Sequence, residues 1–194
     1  MRTFKMIIDP TKNKKDAAFC QYFKTNTADS KCMYNTANFY IRNTMTGLKK
    51  SPEERTPLET EVLHYVFTGI QKANEIIGQK NMKKKFAELK LAEVGGMYSA
   101  VTAFSIVSQE PFQYPTAKKW FLSYGTLDAI FKFTDNPVYR RMNSQVNQNA
   151  IRKAVAAWQG YFESLKAYKK NPAGFTGKPK IPGYKQDKEY IAWF

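Results

Sequence analysis

Short polar side chains gather at Asn143, Ser144, Gln145, Asn147, Gln148 and Asn149, directly after Arg140 and Arg141. Amides present a donor and an acceptor side by side, the pattern that matches adenine or pyrimidine edges, and guanidinium groups grip phosphates. Capping one helix uses part of such a cluster but does not need all of it. A second polar set, Asn35, Asn38 and Arg42, is spaced to share one helix face. It suits phosphates, riboses or base edges, and an ordinary exposed helix face accounts for the same pattern. The third set is Lys178, Lys180, Lys185 and Lys188, on a segment whose prolines keep it extended and whose glycines let a backbone approach closely. Such a strip can track a phosphate backbone or serve as a solvated linker.

Bond-breaking chemistry finds much less. Metal-dependent phosphodiester cleavage needs converging carboxylates, and the acids here are scattered over charged helical stretches. His64 is the sole histidine, so it would have to serve every triad or dyad, and no GxxxxGK[ST] phosphate loop is present. Cys20 and Cys32 lack Cys-x-x-Cys partners and cannot complete a four-ligand zinc site; both are read as reduced and structural. The expectation is a chain with no catalytic residue, no metal ligand and no cofactor of its own.

Charge points the same way. Lys and Arg number 31 against 16 Asp and Glu, a net charge of +15, so the default partner is a polyanion: nucleic acid first, an anionic membrane surface second. Trp 3, Tyr 12 and Phe 14 are interleaved with the cations, as stacking surfaces beside phosphate-binding groups require, with about two thirds of them assigned to the core. At 194 residues and 43% hydrophobic content the chain can bury one substantial core or two small lobes. It shows neither a signal-peptide pattern nor an apolar run of membrane-spanning length, and a cytoplasmic location is expected.

The elements that would position these groups follow from periodicity. Arg2 to Ile8 alternates as a short strand, closed by Asp9-Pro10. Helices are expected over about 12–23 and 29–45, the second with Met33, Ala37, Tyr40 and Ile41 on one side. Thr56-Pro57-Leu58-Glu59 is a capping box with proline at the first helical position, opening a helix whose stripe Leu58, Val62, Val66, Ile70, Ala73 runs to a C-cap at Gly78. A basic helical stretch from Lys83 ends at Gly95-Gly96, and Met97 to Val107 is a short apolar helix or strand. Thr116 caps a helix carrying Trp120, Phe121, Tyr124, Leu127 and Ile130 that ends near Asn136-Pro137. A long helix over about 144–168 buries Val146, Ala150, Ala154, Trp158, Phe162 and Leu165 and projects Arg152, Lys153 and Lys166 elsewhere. Beyond Lys170 the texture becomes an extended basic linker, and Glu189 to Phe194 is β-prone.

Two stretches resemble the TnpB family of transposon-encoded RNA-guided DNA nucleases, relatives of the type V CRISPR effectors. Tyr34 to Asn43, YNTANFYIRN, is similar to the family's N-terminal helix. Asn136 to Lys185 is similar to its signature of a Gln-rich helix start, an aromatic pair, a Lys-rich helix end and a Gly-Lys-Pro-x-x-Pro-x-Tyr-Lys strip; residues 49–111 carry no such match. The resemblance implies an α+β fold: a helical recognition bundle (12–170) inserted between strands of an oligonucleotide-binding-like wedge domain (1–11, and 171–194 with the linker). The RuvC-like nuclease domain, its carboxylates and its Mg²⁺ are expected beyond Phe194. The implied function is to bind a guide RNA scaffold, the guide–target heteroduplex and the target-adjacent motif. Ser144, Gln145 and Gln148, with Tyr114 and Lys118, would face target-adjacent DNA. Asn35, Asn38, Arg42, Arg140, Arg141, Arg152, Lys153, Lys178, Lys180, Tyr184 and Lys185 would hold RNA or phosphate. Partners are then guide RNA and target DNA, with a second subunit carrying a nuclease domain, or self-association, as further expectations; no membrane partner is expected. The alternative is an RNA-guided DNA-binding regulator or accessory subunit without a nuclease.

Overall fold

The computed structural model describes residues 9–11, 14–93 and 109–186. Among these residues every regular element is helical: α1 (Lys14–Gly47), α2 (Pro57–Glu93), α3 (Tyr124–Phe133), the single-turn α4 (Pro137–Arg140) and α5 (Ser144–Lys170), with 3-10 turns at Pro52–Glu54 and Pro172–Gly174. This corrects the α+β expectation with its β wedge: among the described residues there is no strand and no sheet. Residues 178–186 are extended, but helix-borne asparagines rather than a neighbouring strand meet their backbone groups. The segments read as opening and closing strands, 2–8 and 189–194, and the apolar stretch 97–107 lie outside the described residues.

The chain divides into two compact units, Met1–Tyr40 with Asn136–Phe194, and Ile41–Asp135. In the first, α1 contributes Met33, Tyr34, Ala37 and Tyr40 to the core, and α5 contributes Val146, Ala150, Ile151, Ala154, Val155 and Trp158. Trp158 is fully enclosed, and its indole N–H donates to Asn38 Oδ1 at 2.8 Å. Phe162, expected in this core, is only half-buried and leans on Trp158 with ring centroids 5.9 Å apart. Asn143 caps α5 by accepting from Gln145 N, and Asn147, buried, donates to the carbonyls of Tyr139 and Met142. Two of the clustered amides therefore build the turn before α5.

In the second unit, α2 opens as its sequence dictates: Glu59 N donates to Thr56 Oγ1 at 3.2 Å and Thr56 N to Glu59 Oε2 at 2.9 Å. The Glu59 carboxylate also receives Lys50 Nζ at 2.9 Å. Its pKa falls to about 2, through the Lys50 hydrogen bond first and those from Thr46 and Thr56 after it. Arg55 Nε donates to Gly47 O at 2.8 Å, satisfying a carbonyl at the end of α1. Val62, Leu63, Val66, Ile70, Ala73 and Ile77 of α2 are buried, as are Leu127, Ala129, Ile130 and Phe131 of α3. These two helices approach closely at Gly69, where a Cβ would stand 2.9 Å from Ile130 Cα.

Candidate nucleic-acid interface

After α5 the chain turns through Pro172–Gly174, where Phe175 meets Tyr168 edge-on at 5.6 Å, and continues as a strip over 178–186. Asn35 Nδ2 donates to Lys185 O at 3.1 Å, and Lys185 N donates to Asn35 Oδ1 at 2.8 Å. Asn38 Nδ2 donates to the carbonyls of Pro182 and Gly183, at 3.1 and 3.0 Å. A side-chain amide thus stands in for a strand neighbour. The strip is fixed to the protein, where the sequence left open a solvated linker.

Once pinned, the strip faces α5 across an open groove of about 630 Å³. Ala157, Tyr161 and Ser164 of α5 line one side, at the spacing that places them on one helix face. Pro179, Lys180, Pro182, Gly183, Tyr184, Lys185 and Gln186 line the other, with Tyr34 of α1 between. Lys185 Nζ lies 5.8 Å from the centroid of the Tyr34 ring, a cation–π arrangement. Burial, and then the charge of Lys185, push the Lys153 ammonium below the ordinary lysine pKa of 10.5. From Asn136 to Gln186 the only acid is Glu163, against Arg140, Arg141, Arg152, Lys153, Lys166, Lys169, Lys170, Lys178, Lys180 and Lys185. Positive charge therefore outweighs negative along α5 and the strip.

The structure distributes the candidate residues unevenly. Lys180, Tyr184 and Lys185 line the groove; Lys153 sits one turn before Ala157, and Lys178 is exposed just before Pro179. Asn35 and Asn38 have internal duties, Asn38 with no exposed surface. Arg42 is half-buried on the part of α1 counted with the second unit. Arg140 and Arg152 are exposed; Arg141 is also exposed and lies 3.8 Å from Asp29. Ser144 and Gln145 are exposed and Gln148 half-buried; Gln145, Gln148 and Arg152 fall on one outward stripe of α5. Tyr114 and Lys118 belong to the other unit, where Tyr114 stacks on Phe67 with centroids 5.7 Å apart and planes 15° from parallel. Lys188 lies outside the described residues.

Sequence reasoning missed Tyr34, Tyr161 and Ser164 as groove residues. The signal was present in the spacing Ala157, Tyr161, Ser164, which runs beside the core stripe Ala154, Trp158 and sets one tyrosine between two small residues. Cys32, read as structural, is exposed, and Cys20 is half-buried. Among the described residues no cluster of three or more His, Cys, Asp or Glu could hold a metal ion, and no helix is long and apolar enough to cross a membrane. No protein-family model, curated protein or solved structure matches the chain.

Proposed function

We propose that the chain is the nucleic-acid-binding portion of a TnpB-like RNA-guided DNA nuclease, holding the guide RNA scaffold and the guide–target heteroduplex and contacting target-adjacent DNA. One observation carries the reading. Most of the first stretch with the family's pattern, residues 34–40 of 34–43, shares one unit with the second, 136–185: Asn35 and Asn38 of the first hold the backbone of the strip and the Trp158 indole of the second. Tyr34 of the first stretch and Tyr161, Lys180, Tyr184 and Lys185 of the second line one basic, tyrosine-bearing groove, which supports their serving a common ligand. Gln145, Gln148 and Arg152, on a separate outward stripe of α5, offer amides and a guanidinium suited to base edges and phosphates.

Salt dependence tests it. Each neutralised phosphate adds ~0.7–0.9 to the slope of log affinity against log salt. Replacing Lys178, Lys180 and Lys185 together by Glu lowers that slope for structured RNA by about 2–3. An unchanged slope in the triple variant removes the strip from the interface. Sequencing RNA that co-purifies with the chain separates a guide, dominated by one structured transcript, from indiscriminate binding, which yields a mixture and counts against the RNA-guided reading.

A further inference from the structure

The groove beside the strip has the dimensions of a small-ligand site. Its volume of about 630 Å³ falls within the ~300–1,000 Å³ typical of such pockets. Ala157 and Gly183 are the small residues of its lining, and a Cβ added at Gly183 would meet no atom within 4 Å. Its outer wall is already ordered. Pro179 and Pro182 restrict the backbone, and Asn35 and Asn38 hold the carbonyls of Pro182, Gly183 and Lys185 and the N–H of Lys185. A ligand entering it therefore has little ordering cost to overcome.

The lining divides by chemistry. Lys180 and Lys185 supply cations, and among the described residues no carboxylate lines the groove. Lys185 Nζ stands over the Tyr34 ring, which orients its charge, and no described acid pairs with it. Burial first and the charge of Lys185 second lower the Lys153 pKa, and a phosphate set between the two cations relieves the repulsive part. Tyr161 and Tyr184 provide aromatic surface, Tyr184 being 41% exposed, and Ser164 adds a hydroxyl. Cations with an adjoining aromatic wall match a phosphate carrying a base. A base within a duplex is already stacked on its neighbours and cannot present its face to a tyrosine in a pocket.

We propose that this groove seats one unstacked nucleotide of a single strand, its phosphate on Lys180 and Lys185 and its base against Tyr161 and Tyr184. The proposal rests on the nucleic-acid reading above and narrows it to a ligand class: the groove takes a turned-out nucleotide while the surrounding basic surface holds the helical parts of the partner.

The test measures binding of the full chain to a short oligouridylate, an oligothymidylate of the same length, an RNA duplex of that length and free uridine monophosphate. Ala157→Phe fills the groove and keeps every charge; it weakens oligouridylate binding about tenfold and leaves duplex affinity and salt slope unchanged. Tyr184→Ala acts in the same direction, and Tyr184→Trp retains binding. Because Tyr184 is exposed, its variants decide the matter even if Ala157→Phe fails to fold, and trypsin cleavage after Lys180 and Lys185 reports whether the strip stays in place. Equal loss with oligouridylate and oligothymidylate supports a seat for any single strand, whereas loss with oligouridylate alone supports one for RNA. Competition by uridine monophosphate supports a groove that also accepts the free nucleotide. The proposal is overturned if both Tyr184 variants bind single strands like the parent, or if single strand and duplex weaken together. Failure of the parent chain to bind any strand or duplex instead overturns the nucleic-acid reading itself.

Discussion

Replacing Asn38 should detach the basic strip and loosen the core beneath it, because one side chain serves both. Asn38 is fully buried; its oxygen accepts from Trp158 Nε1 at 2.8 Å and its nitrogen donates to the carbonyls of Pro182 and Gly183. In Asn38→Ala the enclosed indole N–H has no acceptor, which costs ~1–3 kcal/mol, and each lost strip bond adds ~0.5–1.5 kcal/mol. Pro182 is half-exposed and Gly183 exposed, so water replaces part of those two bonds, and the expected total is about 2–4 kcal/mol. Asn38→Asp separates the two duties: it keeps an acceptor for Trp158 and points oxygen at two carbonyl oxygens, expelling the strip while the indole stays satisfied. Urea unfolding followed by tryptophan fluorescence measures the core. Limited trypsin digestion measures the strip, with new cuts after Lys180 and Lys185 and none after Lys178, which precedes Pro179. Asn38→Ala should lower stability and expose the cuts; Asn38→Asp should expose the cuts too, with a stability loss at neutral pH at least as large because its carboxylate is buried, and a smaller loss once acid protonates it. A stability loss in Asn38→Ala of less than about 1 kcal/mol, with cleavage unchanged in both variants, would refute the clamp.

Two glycines in α2 should respond oppositely to alanine. Gly69→Ala puts a methyl 2.9 Å from the Ile130 backbone and should cost about 1–3 kcal/mol in urea unfolding. Gly78→Ala meets no atom within 4 Å and should gain ~0.5–1 kcal/mol from helix propensity. Glu59, depressed to about 2 from 4.5, stabilises the fold fully above the unfolded value, and that contribution is lost as pH falls through the folded one. Acid titrations of Glu59→Gln should therefore lack the part of the stability decline between these values that the parent shows. Lys153, lowered from 10.5, loses its proton earlier than an ordinary lysine on the alkaline side, and a bound phosphate should restore it. Calorimetry of RNA binding in alkaline buffers of different ionisation heat should show proton uptake that disappears in Lys153→Met.

Helix existence was legible; helix length was not. Thr56-Pro57-Leu58-Glu59 announced the start of α2 because a capping box is local chemistry, and the structure contains both of its bonds. Gly78 was misleading: a glycine ends a helix only if the chain turns left-handed there, and α2 continues through it to Glu93. The polar stretch around Asn26 looked like a break between two helices, yet α1 is continuous, with Asn26 Nδ2 donating to Tyr22 O within the helix at 2.8 Å. Trp120 and Phe121 drew the next helix too early. Thr116 closes a turn with Lys119, and Ser123, accepting from Thr126 N, starts α3. That helix ends before Asp135, whose φ of 55° is left-handed, and Asn136 caps α4. The apolar period on α5 marked Val146, Ala150, Ala154 and Trp158 correctly as core, and the lysines of the strip were evident. The groove was hidden because it depends on two segments about 150 positions apart, Asn35 and Lys185.

The asparagine clamp also determines how the strip can meet a ligand. The second unit uses the same device: Asn74 exchanges both bonds with the backbone of Phe112, and Asn81 does so with Gln109. Seven helical residues from Asn74 to Asn81 rise about 10.5 Å, and three extended residues from Gln109 to Phe112 span about 10 Å. In the second unit an extended chain running antiparallel to a helix is therefore matched in register by asparagines two turns apart, which is how residues 109–112 stay extended with no strand beside them among the described residues; at the strip the two asparagines are less than one turn apart. At the strip, the clamp consumes the Lys185 N–H and the carbonyls of Pro182, Gly183 and Lys185. The Lys185 N–H therefore cannot bind a phosphate as backbone amides of a helix start or glycine loop do. The charged attraction of the strip comes from its lysine side chains, which follow a phosphate backbone without reading sequence. Any discrimination must come from surfaces whose polar atoms remain exposed, and in this unit the Gln145, Gln148 and Arg152 stripe of α5 has that character.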